Sequence, residues 1–216
     1  MGNYTKFVYE GGEGEIIEKK SRFIASVSAI GSEADASSFH EQIRKKYWDA
    51  GHHCMAFVLG ERNEISRAND DGEPSGTAGR PILDVLTGSG VRNACIVVTR
   101  YFGGVLLGTG GLVRAYGRAA REGLDSSLLL DRIHGRKLAV ACEYNDVGKL
   151  QYIAGSRGYD PVSSQYAENA KITYLIPDDE APAFAQEITE KTAGRAVLTD
   201  LGEYDFAVLD KEFILL

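Results

Sequence analysis

The segment from Val85 to Arg121 combines the residue types that bind anions. It holds five arginines and no Asp or Glu, a formal charge of +5 in a chain whose total is −7. Its centre is a glycine-dense run, YFGGVLLGTGGLVR, at residues 101–114. Glycine lets backbone N–H groups approach a ligand closely, and arginine offers paired donors to anionic oxygens. The segment therefore predicts a local site for phosphate or another polyanion; the alternative is a glycine-rich turn followed by a solvated helix.

Three of these arginines, Arg114, Arg118 and Arg121, are spaced i, i+4, i+7 and would share one face of a helix. Arg118 could pair with Glu122 and Arg121 with Asp125, both at i, i+4, whereas Arg114 has no carboxylate three or four residues away. Arg114 is therefore the best single candidate for an anion contact. The predicted polyanion site consists of Arg80, Arg100, Gly108, Gly110, Gly111, Arg114, Arg118 and Arg121.

The glycine run matches neither of two familiar phosphate motifs. It is not a Walker A loop, because no Gly-Lys-Ser/Thr follows the glycines. It is not a dinucleotide fingerprint, because Val113 stands where the final glycine belongs. Free N–H groups and the helix dipole would still favour negative charge at the start of the helix.

An acidic loop precedes this segment and contains Asp70, Asp71 and Glu73. Its oxygens could hold a divalent metal, or its carboxylates could orient Arg80 or Arg100 by ion pairing. The third interpretation is a solvated turn, since Asp-Gly and Glu-Pro are ordinary turn chemistry. For metal binding alone we favour the turn. We expect no metal, no cofactor and no catalytic constellation.

Aromatic residues accompany the arginines. Tyr101, Phe102 and Tyr116, if exposed, could stack nucleobases as in proteins that bind single strands. We expect Phe102 in the core and leave the other two open.

Predicted strands and helices alternate along the front of the chain and would position these residues. Cys54–Gly60 and Ala94–Val98 are apolar runs typical of buried strands. Ser32 has the chemistry of a helix cap. A short helix is predicted over Ile82–Leu86, and a longer one from about Gly111 to Leu128.

The back of the chain reads as strand, helix, two strands, helix and strand. Asn145 and Asp146 are predicted to cap the first of these helices. The order β-α-β-β-α-β is the split βαβ pattern of ferredoxin-like domains. The sequence thus predicts an α+β protein with domains at residues 1–132 and 133–216.

Composition limits the function further. Residues 1–130 carry a formal charge of −1 and residues 131–216 a charge of −6, so bulk attraction to nucleic acid is excluded and polyanion binding must be local. No apolar run is long enough to span a bilayer. Three cysteines without C-x-x-C spacing fit a reducing compartment. We expect a cytoplasmic monomer.

Two segments, Asn69–Pro81 and Thr99–Tyr116, closely resemble the Impact family in its bacterial two-domain form. The resemblance implies a front domain like the second domain of ribosomal protein S5 and a ferredoxin-like back domain. It also implies an RNA- or ribosome-associated role in translation regulation. Peptidase chemistry has been ascribed to some members, but the metal ligands it needs are missing here.

Three functional hypotheses follow. The first is an RNA- or ribosome-binding accessory protein that uses the glycine- and arginine-rich site. The second is an enzyme acting on a small phosphorylated ligand at the same loop, for which Asp70, Asp71 and Glu73 are the only candidates for a base. The third is a protein-interaction module with an acidic back domain.

Overall fold

The computed structural model describes residues 4–210 and 212–216. Within them the chain forms two compact units, residues 5–130 and residues 131–216, with Tyr4 belonging to the second unit. Both units mix helices with β-sheet, so the predicted α+β class is confirmed. No helix in the described ranges has the length and apolar character needed to cross a membrane.

The front unit is built on an antiparallel sheet. Its elements are β1 (Thr5–Glu10), β2 (Glu13–Glu18), β3 (Ser21–Ala29), α1 (Glu33–Lys46), β4 (His52–Leu59), β5 (Ile65–Asn69), α2 (Gly79–Ser89), β6 (Val91–Arg92), β7 (Ala94–Tyr101) and α3 (Thr109–Asp125). Five strands pair in the order β2-β3-β7-β4-β5, and β1 pairs in parallel with β6.

Helices cover both faces of this five-stranded sheet, and the alternation along β7 shows how. Cys95 and Val97 belong to the apolar cluster that includes residues of α1. Ile96 and Val98 belong to the cluster that includes residues of α2 and α3. Because successive side chains of a strand point to opposite faces, Arg100 lies on the same face as Ile96 and Val98. This placement puts Arg100 on the face of the sheet that α3 covers.

Helix α1 begins where the sequence predicts, whereas α2 and α3 differ from their predicted bounds. Ser32 is the N-cap of α1, and its hydroxyl accepts the N–H of Asp35 at 3.1 Å, as predicted. Helix α2 begins at Gly79, three residues before the predicted Ile82, and its first N–H donates to the Asp70 carboxylate of the preceding loop at 2.8 Å. Helix α3 begins at Thr109 and ends at Asp125, about one turn before the predicted Leu128.

The back unit follows the predicted order of elements and ends in one further strand, which was not predicted. It consists of β8 (Leu128–Cys142), whose first residues belong to the front unit, α4 (Tyr144–Ser156), β9 (Ser163–Tyr166), β10 (Ala170–Pro177), α5 (Ala181–Lys191), β11 (Val197–Leu209) and β12 (Glu212–Leu215). The strands are antiparallel in the order β9-β10-β8-β11-β12. One apolar cluster joins both helices to β8 and β10.

The predicted cap of α4 is wrong. Helix α4 begins at Tyr144 and has no side-chain cap, and Asp146 lies inside its first turn. The Asp146 carboxylate instead accepts hydrogen bonds from Arg195 at 2.9 and 3.0 Å and from Lys149 at 2.8 Å. Two cations bind this carboxylate more strongly than a backbone N–H would, so the charge pairing determines where it points.

Candidate polyanion-binding site

The start of α3 offers free backbone donors. Gly108 precedes the helix at φ +72°, a conformation that other residues rarely adopt. No side chain caps the first turn, and the first turn contains no acidic residue. Free N–H groups at a helix N-terminus carry partial positive charge. Gly110 and Gly111 lie in this first turn, whereas the sequence predicts a helix that begins only at about Gly111.

Two arginines of α3 face one small pocket. Arg114 and Arg118 line it together with Lys19, Leu107 and Gly111, and its volume is about 100 Å³. Both arginine side chains are exposed.

Ion pairing leaves Arg114 without a carboxylate. Arg114 and Arg121 form no ion pair with any residue in the described ranges. Arg118 pairs with Glu18 at 3.4 Å, with its side chain 63% exposed, and not with Glu122. An exposed pair of this kind contributes little energy, so an anion could displace Glu18.

A lysine pair extends the positive charge beyond α3. Lys19 and Lys20 form the two-residue turn between β2 and β3, with Glu18 opposite Ser21. Both lysines have positive φ, +45° and +68°. Turns of this type favour Asn-Gly, because they need the left-handed conformation. The sequence reasoning overlooked these lysines, although two adjacent cations between two strand-like runs were a visible signal.

Gly103 packs the glycine run directly against this turn. A Cβ at position 103 would lie 2.0 Å from the carbonyl carbon of Lys20, so only glycine fits. The N–H of Gly103 also donates to the Ser21 hydroxyl at 3.1 Å. The lysine turn and the loop before α3 are therefore held together by direct backbone contact.

Arg100 is buried and does not belong to the exposed basic surface. Its side chain is 6% exposed, and Nη1 lies 2.5 Å from Oε1 of Glu73, which is 4% exposed. The Tyr116 hydroxyl donates to the same oxygen at 2.8 Å. The Nε atom of Arg100 has no hydrogen-bond partner in the described part of the chain. Arg100 thus links β7 to the acidic loop and to α3 and has no access to an external phosphate.

Arg80 is exposed on α2 and pairs with Asp84 one turn later, at 2.8 Å. The contact of Arg80 with a polyanion stays a prediction. The same holds for the predicted members that lie on α3 or in the loop before it: Gly108, Gly110, Gly111, Arg114, Arg118 and Arg121.

The acidic loop is used for internal contacts. Asp70 accepts the N–H groups of Gly76, Ala78 and Gly79 at 2.8 to 3.0 Å. Burial raises the pKa of Asp70, but these N–H donors together outweigh it and lower the pKa below its usual value. Asp71 accepts the N–H of His53 at 2.6 Å.

With Glu73 bound to Arg100, each of the three carboxylates has a structural partner. Of the three carboxylates, Glu73 is the one that pairs with Arg100, as one of the interpretations of this loop predicts. Within the described residues, no group of three or more His, Cys, Asp or Glu side chains could hold a metal ion.

Of the three aromatic residues, only Phe102 differs from expectation. Tyr116 is fully buried, and the Tyr101 hydroxyl donates to Asp49 at 2.8 Å. Phe102 is 56% exposed, so its predicted place in the core is wrong. Strand β7 ends at Tyr101, and Phe102 therefore leaves the sheet instead of continuing its alternation.

These features define a class: a two-unit α+β protein with a glycine- and arginine-rich surface on its front unit. The Impact N-terminal domain matches residues 19–124, and a domain of unknown function, DUF1949, matches residues 140–195. The chain belongs to the Impact family.

Two bacterial relatives span most of its length. The chain is 40% identical to the IMPACT family member YvyE of Bacillus subtilis over 204 residues, 94% of this chain and 93% of that one. It is 34% identical to the IMPACT family member YigZ of Escherichia coli over 187 residues, 86% and 92% of the two chains. A crystal structure of a hypothetical protein has 31% identity and a TM-score of 0.58, and covers 94% of this chain and 98% of its own.

Proposed function

We propose that this protein binds RNA, and through RNA the ribosome, as an accessory factor of translation. The binding site is the basic surface, which we define as Lys19, Lys20, Arg114 and Arg118, with Arg121 one turn further along α3. The observation that carries the proposal is Arg114, which is exposed, has no ion-pair partner among the described residues and lies beside an uncapped helix start.

The charge balance of the basic surface supports a polyanion. Three cations, Lys19, Arg114 and Arg118, line a pocket that contains one carboxylate, Glu18, in a chain whose net charge is −7. Arg114 and Arg121 are seven residues apart, roughly 10 Å along the helix axis. This open row is long enough to follow the backbone of a nucleic acid strand. Family membership supports the proposal through the RNA- or ribosome-associated role that the resemblance implies.

The same geometry argues against a small phosphorylated substrate. The pocket beside Arg114 is about 100 Å³, whereas small-molecule sites are usually about 300–1,000 Å³. A reaction would also need a base, and Asp70, Asp71 and Glu73 are held by backbone N–H groups or by Arg100. The described residues therefore favour binding over catalysis at this loop.

Fluorescence anisotropy with a labelled single-stranded RNA, titrated across salt concentrations, tests the proposal. The double variant Arg114→Ala, Arg118→Ala should bind more weakly. Its slope of log affinity against log salt should be shallower by roughly 1.4, since each lost phosphate contact accounts for about 0.7.

The matched control is Arg44→Ala, Lys45→Ala. These two exposed cations lie on α1, which covers the opposite face of the sheet from α3. The control should bind like the unmodified protein. Absence of RNA binding at 50 mM salt, or equal losses in the two double variants, would contradict the proposal. Co-sedimentation with ribosomes, before and after a high-salt wash, extends the test with the same variants.

A further inference from the structure

Phe102 is an exposed aromatic residue close in sequence to a contact with the lysine turn of the basic surface. It follows β7 directly and is 56% exposed. The next residue is Gly103, whose backbone packs against Lys20. The ring therefore lies one residue away from the contact that joins the lysine turn to the glycine run.

The inner face of the ring is occupied by a fixed cation. The Arg100 guanidinium carbon is 5.6 Å from the Phe102 ring centroid and 5.4 Å from that of Phe23. The guanidinium is held by Glu73 at 2.5 Å. Cation–π contacts at a desolvated guanidinium restrict the ring. The buried ion pair thus acts as a rigid support under an exposed aromatic face.

We propose that Phe102 stacks on one unpaired base of a single-stranded RNA whose phosphates contact the basic surface. This inference rests on the proposed function and specifies its substrate class. Every base has a π-face, and exposed aromatics next to cations are how proteins hold single strands without reading their sequence. Bases in a duplex are already stacked and paired, so a duplex cannot use this ring.

The test compares two substitutions at Phe102. Phe102→Leu keeps an apolar cover over Arg100 but removes the aromatic face, and Phe102→Trp keeps stacking. Phe102→Leu should bind single-stranded RNA roughly 5- to 150-fold more weakly, as alanine substitution at stacking sites does. Phe102→Trp should retain the affinity. Tyr152→Ala, which removes a 78% exposed aromatic from α4, is the matched control and should have no effect.

Inorganic polyphosphate and a blunt RNA duplex serve as probes that offer charge without an unpaired base. Both should bind Phe102→Leu as well as they bind the unmodified protein. Fluorescence gives a direct reading of stacking: Phe102→Trp in a Trp48→Phe background carries one tryptophan. Its emission should be quenched by single-stranded RNA and left unchanged by polyphosphate.

The outcomes separate this inference from the proposed function. Undiminished single-strand affinity of Phe102→Leu overturns the inference while the arginine variants still support RNA binding. An equal loss of affinity for polyphosphate also overturns the inference. A loss of single-strand affinity in Tyr152→Ala as large as that in Phe102→Leu does the same. If Phe102→Leu loses only ribosome co-sedimentation, a protein covers the ring and the inference fails. No RNA binding by the unmodified protein overturns the proposed function and this inference together.

Discussion

Removing the Glu73 carboxylate should destabilise the front unit far more than removing an exposed carboxylate of the same kind. Glu73→Ala leaves the Arg100 guanidinium buried without a counter-charge, and it deprives the Tyr116 hydroxyl of its acceptor. Breaking a buried ion pair from one side typically costs about 3–5 kcal/mol. We expect a loss of unfolding free energy in this range.

The chain supplies a matched exposed pair. Glu15 and Arg22 form two hydrogen bonds of 2.8 Å, with side chains 40% and 48% exposed. Exposed ion pairs contribute about 0–1 kcal/mol, so Glu15→Ala should change the unfolding free energy by no more than that. The two variants remove the same chemical group from the front unit, and burial is the main difference between them.

Calorimetry or urea unfolding measures both losses, and amide hydrogen exchange of β7 and α3 assigns them to the front unit. A double-mutant cycle completes the design. Glu73→Ala, Arg100→Met should be less destabilised than the sum of its two single variants, because no buried charge remains. A loss in Glu73→Ala no larger than that in Glu15→Ala would refute the reasoning.

Two further predictions concern the backbone around the site. Gly103→Ala should destabilise the front unit by roughly 1–3 kcal/mol in urea unfolding, because its Cβ would meet the Lys20 carbonyl. The control is Gly117→Ala, which has open space around it inside α3 and should instead stabilise the front unit by about 1 kcal/mol. A loss of stability in both variants would contradict the argument. The folded-state pKa of Asp70 is lowered, so its ionised form adds stability above the unfolded pKa of about 3.9, and this contribution is lost as pH falls through the folded pKa. Asp70→Asn should therefore be most destabilised near pH 7 and should approach the unmodified protein below about pH 4; a difference that is constant over pH 3–7 would be inconsistent with this.

Sequence predicts best where one local rule decides. The cap at Ser32 was predictable because a hydroxyl before a helix has one preferred partner, the N–H three residues later. The isolation of Arg114 was predictable because helix geometry fixes its neighbours. The succession of elements in the back unit followed from apolar runs and turn residues.

Sequence fails where the partner comes from a distant segment. Arg100 pairs with Glu73, 27 residues away, and Arg118 with Glu18, 100 residues away. Phe102 belongs to an apolar run and reads as core, yet its exposure depends on the strand ending one residue earlier. These contacts depend on which strands pair, and a single sequence does not specify that.

In the lysine turn between β2 and β3, the residues that would give the greatest stability are not the ones that carry positive charge. A left-handed conformation costs a residue other than glycine roughly 1–2 kcal/mol, and Lys19 and Lys20 both adopt it. Selection for heat resistance alone would replace this pair with Asn-Gly. Such a replacement would strengthen the hairpin and remove two positive charges at once, so a more heat-resistant variant of this kind would lose part of the proposed polyanion-binding surface.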